Sequence, residues 1–219
     1  SDVYKRQVEY DNGTLDDTDV DRAKIEDFKT QRHYVSLGYG ITRAWEVYLQ
    51  LGVADAKHKL QWEGSTVWHG FNFDNDFAWG WGTRITLTEQ DNVKWGVSAQ
   101  MNWLDTSVDY KGAVGGVTWK ETYDIDSYDL LIAFGPTVDM GGWKLYGGPF
   151  YYMFDGDWEN TGSDSDGWTW KESGDLEEDS NFGGFIGAQF ALSETVDMTT
   201  ELSFTGDGWA IGTGIGWKF

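Results

Sequence analysis

Trp209, Ile211, Thr213, Ile215, Trp217 and Phe219 fall on one face of an extended chain, and Ala210, Gly212, Gly214, Gly216 and Lys218 fall on the other. Bulk faces one way and almost nothing faces the other. A water-soluble sandwich would turn its large side chains inward and leave polar ones outside. A narrow barrel in lipid needs bulk on its outer wall and small or polar groups within. The segment fits the second arrangement.

The same grammar recurs upstream. Phe77, Trp79, Trp81, Ile85 and Leu87 alternate with Ala78, Gly80, Gly82, Arg84 and Thr86. Beyond a turn at 89–92, Val93, Trp95, Val97, Ala99, Met101 and Trp103 alternate with Lys94, Gly96, Ser98, Gln100 and Asn102, which predicts an antiparallel hairpin. Further pairs are 33–42 with 45–57, 126–138 with 143–155, and 180–192 with 197–205, followed by a last strand over 208–219. That makes nine strands. Connections after 42, 88, 138 and 192 are short, whereas those over 58–75, 106–125 and 156–179 are long and rich in Trp, Asp, Gly and Ser. An ascending strand must precede residue 33, and Val8-Glu9-Tyr10 is the candidate for it, bringing the expected number to ten.

This pattern, together with the terminal Phe219, resembles the small bacterial outer-membrane β-barrels of the OmpA, OmpX and opacity-protein group, in which an aromatic C-terminus is the signal for insertion. The resemblance implies an all-β, closed, antiparallel up-and-down transmembrane barrel, ten-stranded with eight as the alternative. It also implies a place in the bacterial outer membrane, contact with outer-membrane lipid and lipopolysaccharide, and handling by the barrel-assembly machinery. Residues 1–219 are expected to form one domain. Ser1–Gln7 lacks the apolar core of a signal peptide and is treated as non-native or as part of a truncated first strand.

Composition agrees with a β-protein. The 219 residues include 29 Gly, 14 Trp, only 2 Pro and no Cys, so disulfides and thiolate sites are excluded. Mean hydropathy is negative. That does not count against a spanning barrel, since only alternate residues of each short strand must be apolar. The net charge of −21 excludes nucleic acid as a partner, because phosphate binding needs the opposite field.

Polar residues predicted to face the axis are Glu46, Gln50, Arg84, Lys94, Gln100, Asn102, Lys144, Gln189 and Glu201. They form either a hydrogen-bonded network that fills the lumen or the lining of a narrow, weakly conducting path; a barrel this small leaves little room beyond its side chains. Trp45, Trp81, Trp95, Trp103, Trp143, Trp209 and Trp217 are assigned as anchors at headgroup depth, with Phe219 as the insertion signal.

Loop tryptophans Trp62, Trp68, Trp119, Trp158, Trp168 and Trp170 sit among carboxylates, where they either pack the loops or offer faces to sugars and cations. Trp68, Trp119 and Trp170 recur every 51 residues, the last two inside the tetrapeptide Thr-Trp-Lys-Glu, which suggests growth by hairpin duplication.

No cofactor is expected. Asp17-Thr-Asp19-Val-Asp21 and Asp164-Ser-Asp166-Gly167 are weak calcium candidates, the first having Arg22 and Phe28 where an EF-hand needs Gly and Glu. His33, His58 and His69 do not form the paired-carboxylate and Asp-His arrangement of the ten-stranded omptin proteases. The expected role is therefore non-enzymatic, in envelope integrity or surface interaction. A soluble ligand-binding barrel of the lipocalin kind is the third reading, and it requires the bulky residues to lie inside.

Overall fold

The computed structural model describes residues 7–9, 23–62, 66, 69–73, 75–177, 181–206 and 208–217. Twelve strand segments lie in one sheet: β1 (Gln7–Glu9), β2 (Ala23–Thr42), β3 (Trp45–Trp62), β4 (His69–Asn72), β5 (Asp76–Gln90), β6 (Val93–Val114), β7 (Val117–Asp139), β8 (Trp143–Asp164), β9 (Thr169–Glu177), β10 (Phe182–Ala191), β11 (Val196–Thr205) and β12 (Trp209–Trp217). The main path runs β12-β11-β10-β8-β7-β6-β5-β3-β2, with every ladder antiparallel between chain neighbours. β4 continues β5 along the upper part of β3, and β9 continues β10 along the upper part of β8. Nine meandering strands result, at the positions the alternation predicts.

The sheet is strongly curled. Arg32 on β2 and Asp129 on β7 are four strand steps apart, or ~19 Å in a flat sheet at the usual strand spacing, yet their side chains meet at 2.8 Å. Five steps separate Arg84 on β5 from Glu201 on β11, and these two also interact across the concavity. Curling of this degree is what a barrel wall requires.

Three expectations are corrected. The tenth strand was expected at Val8-Glu9-Tyr10, immediately before β2; instead Gln7–Glu9 pairs with β9, at Lys171–Ser173. β9 continues β10 past the upper ends of β11 and β12, so its edge away from β8 is not covered by them and takes the ladder to Gln7–Glu9. β2 and β12 end the strand order, and no ladder joins them among the described residues. The stretches assigned to long loops are largely strand: β6 and β7 run on to a two-residue turn at Gly115–Gly116, where φ of +62° and +92° suits glycine. Lastly, the interior holds large rings as well as the small and polar residues expected there. Tyr48, Tyr146 and Phe150 project inward over Gly82, Gly187 and Gly183, whose missing side chains leave the space.

The large apolar residues of the lower sheet are on its outer surface. Val35, Leu37, Tyr39, Phe77, Ile211 and Trp217 are more than half exposed, and every residue of β12 is exposed. Buried positions belong to the inner face, among them Tyr48, Ala54, Ala78, Asn102, Thr106, Asp129 and Asn160.

Candidate functional site: the polar interior and the hairpin extension

Seven of the nine predicted axial residues are joined to inner-face partners. The Tyr48 hydroxyl donates to Gln100 Oε1 at 2.9 Å, Gln100 Nε2 donates to Asn102 Oδ1 at 3.2 Å, and Asn102 Nδ2 donates to both Asp129 oxygens at 3.0 Å. Arg32 reaches the same carboxylate from the opposite wall, at 3.0 and 2.8 Å. Asp129 thus accepts from two sides, which is what an acid buried to 6% exposure requires. Around it, the space among Arg32, Tyr34, Asn102, Leu104 and Ser127 has no room for a water molecule.

Nearer the short turns the network is looser. Arg84 pairs with Glu46 at 3.3 Å and lies over the Tyr48 ring, 4.6 Å from its centroid, while Tyr146 hydrogen-bonds Glu201. Gln50 Nε2 donates to Ser36 Oγ at 3.2 Å, and Gln189 Nε2 donates to Asp197 Oδ2 at 2.9 Å. The two remaining lysines stand apart from this network. Lys94 pairs at 3.0 Å with Glu89 across the exposed end of the β5–β6 hairpin, and Lys144 stands opposite Gln189 and Asp139 without an ion pair among the described residues.

Sequence reasoning missed Arg32 and Asp129, the best-buried ion pair. Arg32 fell one residue short of the assigned start of its strand, although counting back in twos from Gly38 would have placed it inward. Asp129 was detectable in the same way, as the polar member of the set Asp129, Leu131 and Ala133.

Of the tryptophans assigned as anchors, all but Trp81 lie toward the ends of the exposed apolar band, and Trp81 lies within it, opposite Leu49 and Met101. Trp45 Nε1 donates to Thr83 Oγ1 at 2.8 Å, Trp95 stacks with Phe134 at 5.4 Å, Trp143 with Phe190 at 6.1 Å, and Trp103 with Trp79 at 4.4 Å. Trp81 lies one outward position below Trp79 on β5, while Trp209 and Trp217 cap the two ends of β12. Phe219, Trp68 and Asp17–Asp21 lie outside the described residues.

Above Trp103, polarity reverses along the same strands. Outward positions become Asp105, Ser107, Asp109 and Lys111 on β6, Asp124 and Asp126 on β7, Asp157 and Glu159 on β8, and Lys171, Ser173 and Asp175 on β9. Inward positions carry the rings: Trp119 lies over Gly112, Trp170 over Gly162, Trp158 is buried, and Tyr110 meets Tyr123 edge-on at 5.8 Å. The repeated tetrapeptide therefore supplies one packing device twice, a tryptophan filling the notch of a cross-strand glycine.

The second calcium candidate is occupied by its own turn. Asp164 Oδ1 accepts the backbone N–H groups of Asp166 and Trp168, each at 2.9 Å. His33 is exposed on the outer face, His58 and His69 are in β3 and β4, and no cluster of three or more His, Cys, Asp or Glu side chains suited to a metal occurs among the described residues.

No family model matches the chain, and no curated protein does. Among solved structures, a match is found to a copper transporter, OprC, with 12% identity and a TM-score of 0.40 over 98% of this chain; the chain spans 41% of that transporter's length.

Proposed function

We propose that the chain is a non-enzymatic outer-membrane β-barrel whose lower sheet is the lipid-facing wall and whose hairpin extension projects from the cell as an interaction surface. The reversal of polarity along β6, β7 and β8 carries this reading. Below the Trp79–Trp103 stack, outward residues are apolar and inward ones polar; above it, outward residues are charged and the rings turn in. One strand with both polarities needs two solvents, hydrocarbon below and water above. The row of Trp79, Trp103 and Tyr128 then lies at headgroup depth.

The filled interior supports a structural role over a channel. Its partners on this reading are outer-membrane lipid, lipopolysaccharide and, during insertion, the barrel-assembly machinery. The surface partner engages the extension, which continues ten residues or more beyond the girdle, or roughly 35 Å along the strands at ~3.3 Å per residue.

Reconstitution of the full chain in lipid vesicles tests both parts. Flotation with vesicles and protease resistance of residues 93–103, with cleavage confined to the extension, is the expected outcome. A chain that stays soluble and monomeric without detergent would end the membrane reading. Planar-bilayer recordings are expected to show no discrete conductance; regular single-channel steps would replace the structural role with a pore.

A further inference from the structure

Charge is graded along the outer face of the extension. Residues directly opposite one another on β6, β7 and β8 form outward rows, each above the last. Asp105, Asp126 and Asp157 make the lowest row, followed by Ser107 with Asp124 and Glu159, then Asp109 with Thr122 and Thr161. Lys111, Lys120 and Ser163 make the fourth. Each row carries one carboxylate fewer than the row beneath it, until two ammonium groups take their place. The change is complete between Asp105 and Lys111, ~20 Å of strand at ~3.3 Å per residue.

A groove of about 370 Å³ opens at the positive end, lined by the outward residues Asp109, Lys111, Lys120, Thr122, Thr161 and Ser163. Such a volume suits a small ligand. Its lining also includes Glu121 and Gly162, which fall on the inward parity, and the Tyr123 hydroxyl donates to the Glu121 carboxylate at 3.2 Å. Lys111 and Lys120 are exposed and stand directly opposite each other, an arrangement in which like charges repel. An anion between them relieves that repulsion. The groove's outward carboxylate, Asp109, accepts from Thr122 Oγ1 at 2.8 Å and keeps lone pairs for a further donor.

We propose that this groove binds a saccharide carrying isolated carboxylates, a uronic acid among neutral sugars, with Lys111 and Lys120 holding the carboxylate and Asp109, Thr161 and Ser163 bonding the hydroxyls of the neighbouring ring. Two ammonium groups on adjoining strands match one carboxylate, whose two oxygens each accept a charge-assisted hydrogen bond. The lower rows select against anything more densely charged. A sulfated or phosphorylated polymer would lay further anions over Asp109, Asp124 and Asp126, where like charges repel, whereas sugar hydroxyls both donate and accept and so suit carboxylate and threonine alike. The chain's net charge of −21 acts in the same direction. The partner class rests on the reading that the extension projects from the membrane into water; it is the acidic polysaccharide of a facing surface.

Short hyaluronan oligosaccharides, in which a uronate alternates with a neutral sugar, are the probe. With the full chain folded in uncharged detergent micelles, titration calorimetry at low salt should show saturable binding that weakens as salt rises. Lys111→Gln with Lys120→Gln should weaken it by about tenfold, as for two exposed charge contacts, and Arg at both positions should largely restore it. Lys94→Gln with Lys144→Gln, which removes the same charge near the short turns, should leave affinity unchanged. Dextran sulfate should bind the natural chain more weakly than hyaluronan does, and Asp109→Asn should narrow that gap. The proposal is overturned if hyaluronan does not bind, if the Lys111 and Lys120 glutamine variant binds it as the natural chain does, or if dextran sulfate binds the natural chain more tightly. Should that variant fail to fold, the comparison of the two polymers on the natural chain decides alone. Binding in micelles is measured apart from vesicle flotation, so the site and the membrane reading can fail separately.

Discussion

Two halves of one sheet use the same backbone ladder and opposite side-chain logic. In the lower half, Leu49, Trp81, Met101 and Leu130 form an outward row while Tyr48, Gln100, Asn102 and Asp129 are bonded within. In the upper half, Asp105, Asp126, Asp157 and Asp175 form the outward row and the tryptophans lie inside. The strands cross the change without a break. Register and hydrogen bonding therefore set where a strand continues, and the surrounding solvent sets which face is greasy. The upper half is stabilised by burying rings away from water, as any soluble hairpin stack would be. On the proposed reading the lower half cannot use that effect on its lipid-facing wall, and relies on a hydrogen-bonded polar interior.

The largest test of that contrast removes the centre of the lower interior. Asp129→Ala leaves the Arg32 guanidinium without its acid and Asn102 Nδ2 without its acceptor. Breaking a buried pair costs about 3 to 5 kcal/mol; with the Arg32 side chain still 25% exposed, the lower end of that range is expected. Urea unfolding in lipid vesicles, followed by tryptophan fluorescence, reads the loss. A cost below about 1 kcal/mol would mean the network fills space without holding the wall.

A pair of arginine substitutions sharpens the comparison directly. Leu49, on the outer wall between Leu37 and Trp81, is expected to cost about 2 to 3 kcal/mol when replaced by Arg, as for a charge forced against hydrocarbon. Thr161→Arg on the outer face of the extension should fall within ~0.5 kcal/mol, as for an ordinary wet surface. Equal costs at the two positions would remove the boundary between the halves.

The same contrast explains which parts of the fold could be read from sequence. The lower strands announce themselves because large outward residues alternate with small or polar inward ones, as at Phe77–Leu87. Their turns, such as Arg43-Ala44 and Asp91-Asn92, interrupt that alternation and are equally visible. In the extension, polar outward residues alternate with a mixture of Trp, Tyr, Glu, Asn and Gly. Asp and Gly are poor strand formers by propensity, so 106–125 and 156–179 resemble loops until the ladders are seen. The axial residues were legible as types and faces, since parity alone puts Glu46, Arg84 and Glu201 inward. Their meeting across the interior was not, because the Arg32–Asp129 pair depends on curvature, which no local pattern encodes. The pairing of Gln7–Glu9 with β9 was hidden for a similar reason: it depends on β9 outreaching β11 and β12.

The smallest effect tests the upper half on its own terms. Four aspartates stand directly opposite one another in one outward row, and like charges so placed repel. Burial, followed by the charges of Asp175, Asp155 and Asp126, raises the Asp157 carboxyl above its ordinary value; burial and Glu159, Asp105 and Asp109 do the same for Asp124. A carboxyl whose value is raised by folding takes up its proton more readily in the folded state. Its contribution to stability is therefore fully present below the unfolded value near about 4 and is lost as pH rises through the folded value toward neutrality. The extension should thus be firmer at pH 5 than at pH 7.5, read as amide-exchange protection over 104–127 and 155–177 after correction for intrinsic rates, with chelator present to remove divalent cations. Protection over 93–103 should not follow it. Asp126→Asn removes one charge from the row and should stabilise the extension at neutral pH by a few tenths of a kcal/mol, most visibly at low ionic strength. Protection that instead rises with pH, or an Asn variant that is less stable, would mean that the aspartate row is held by hydrogen bonding strong enough to outweigh its repulsion.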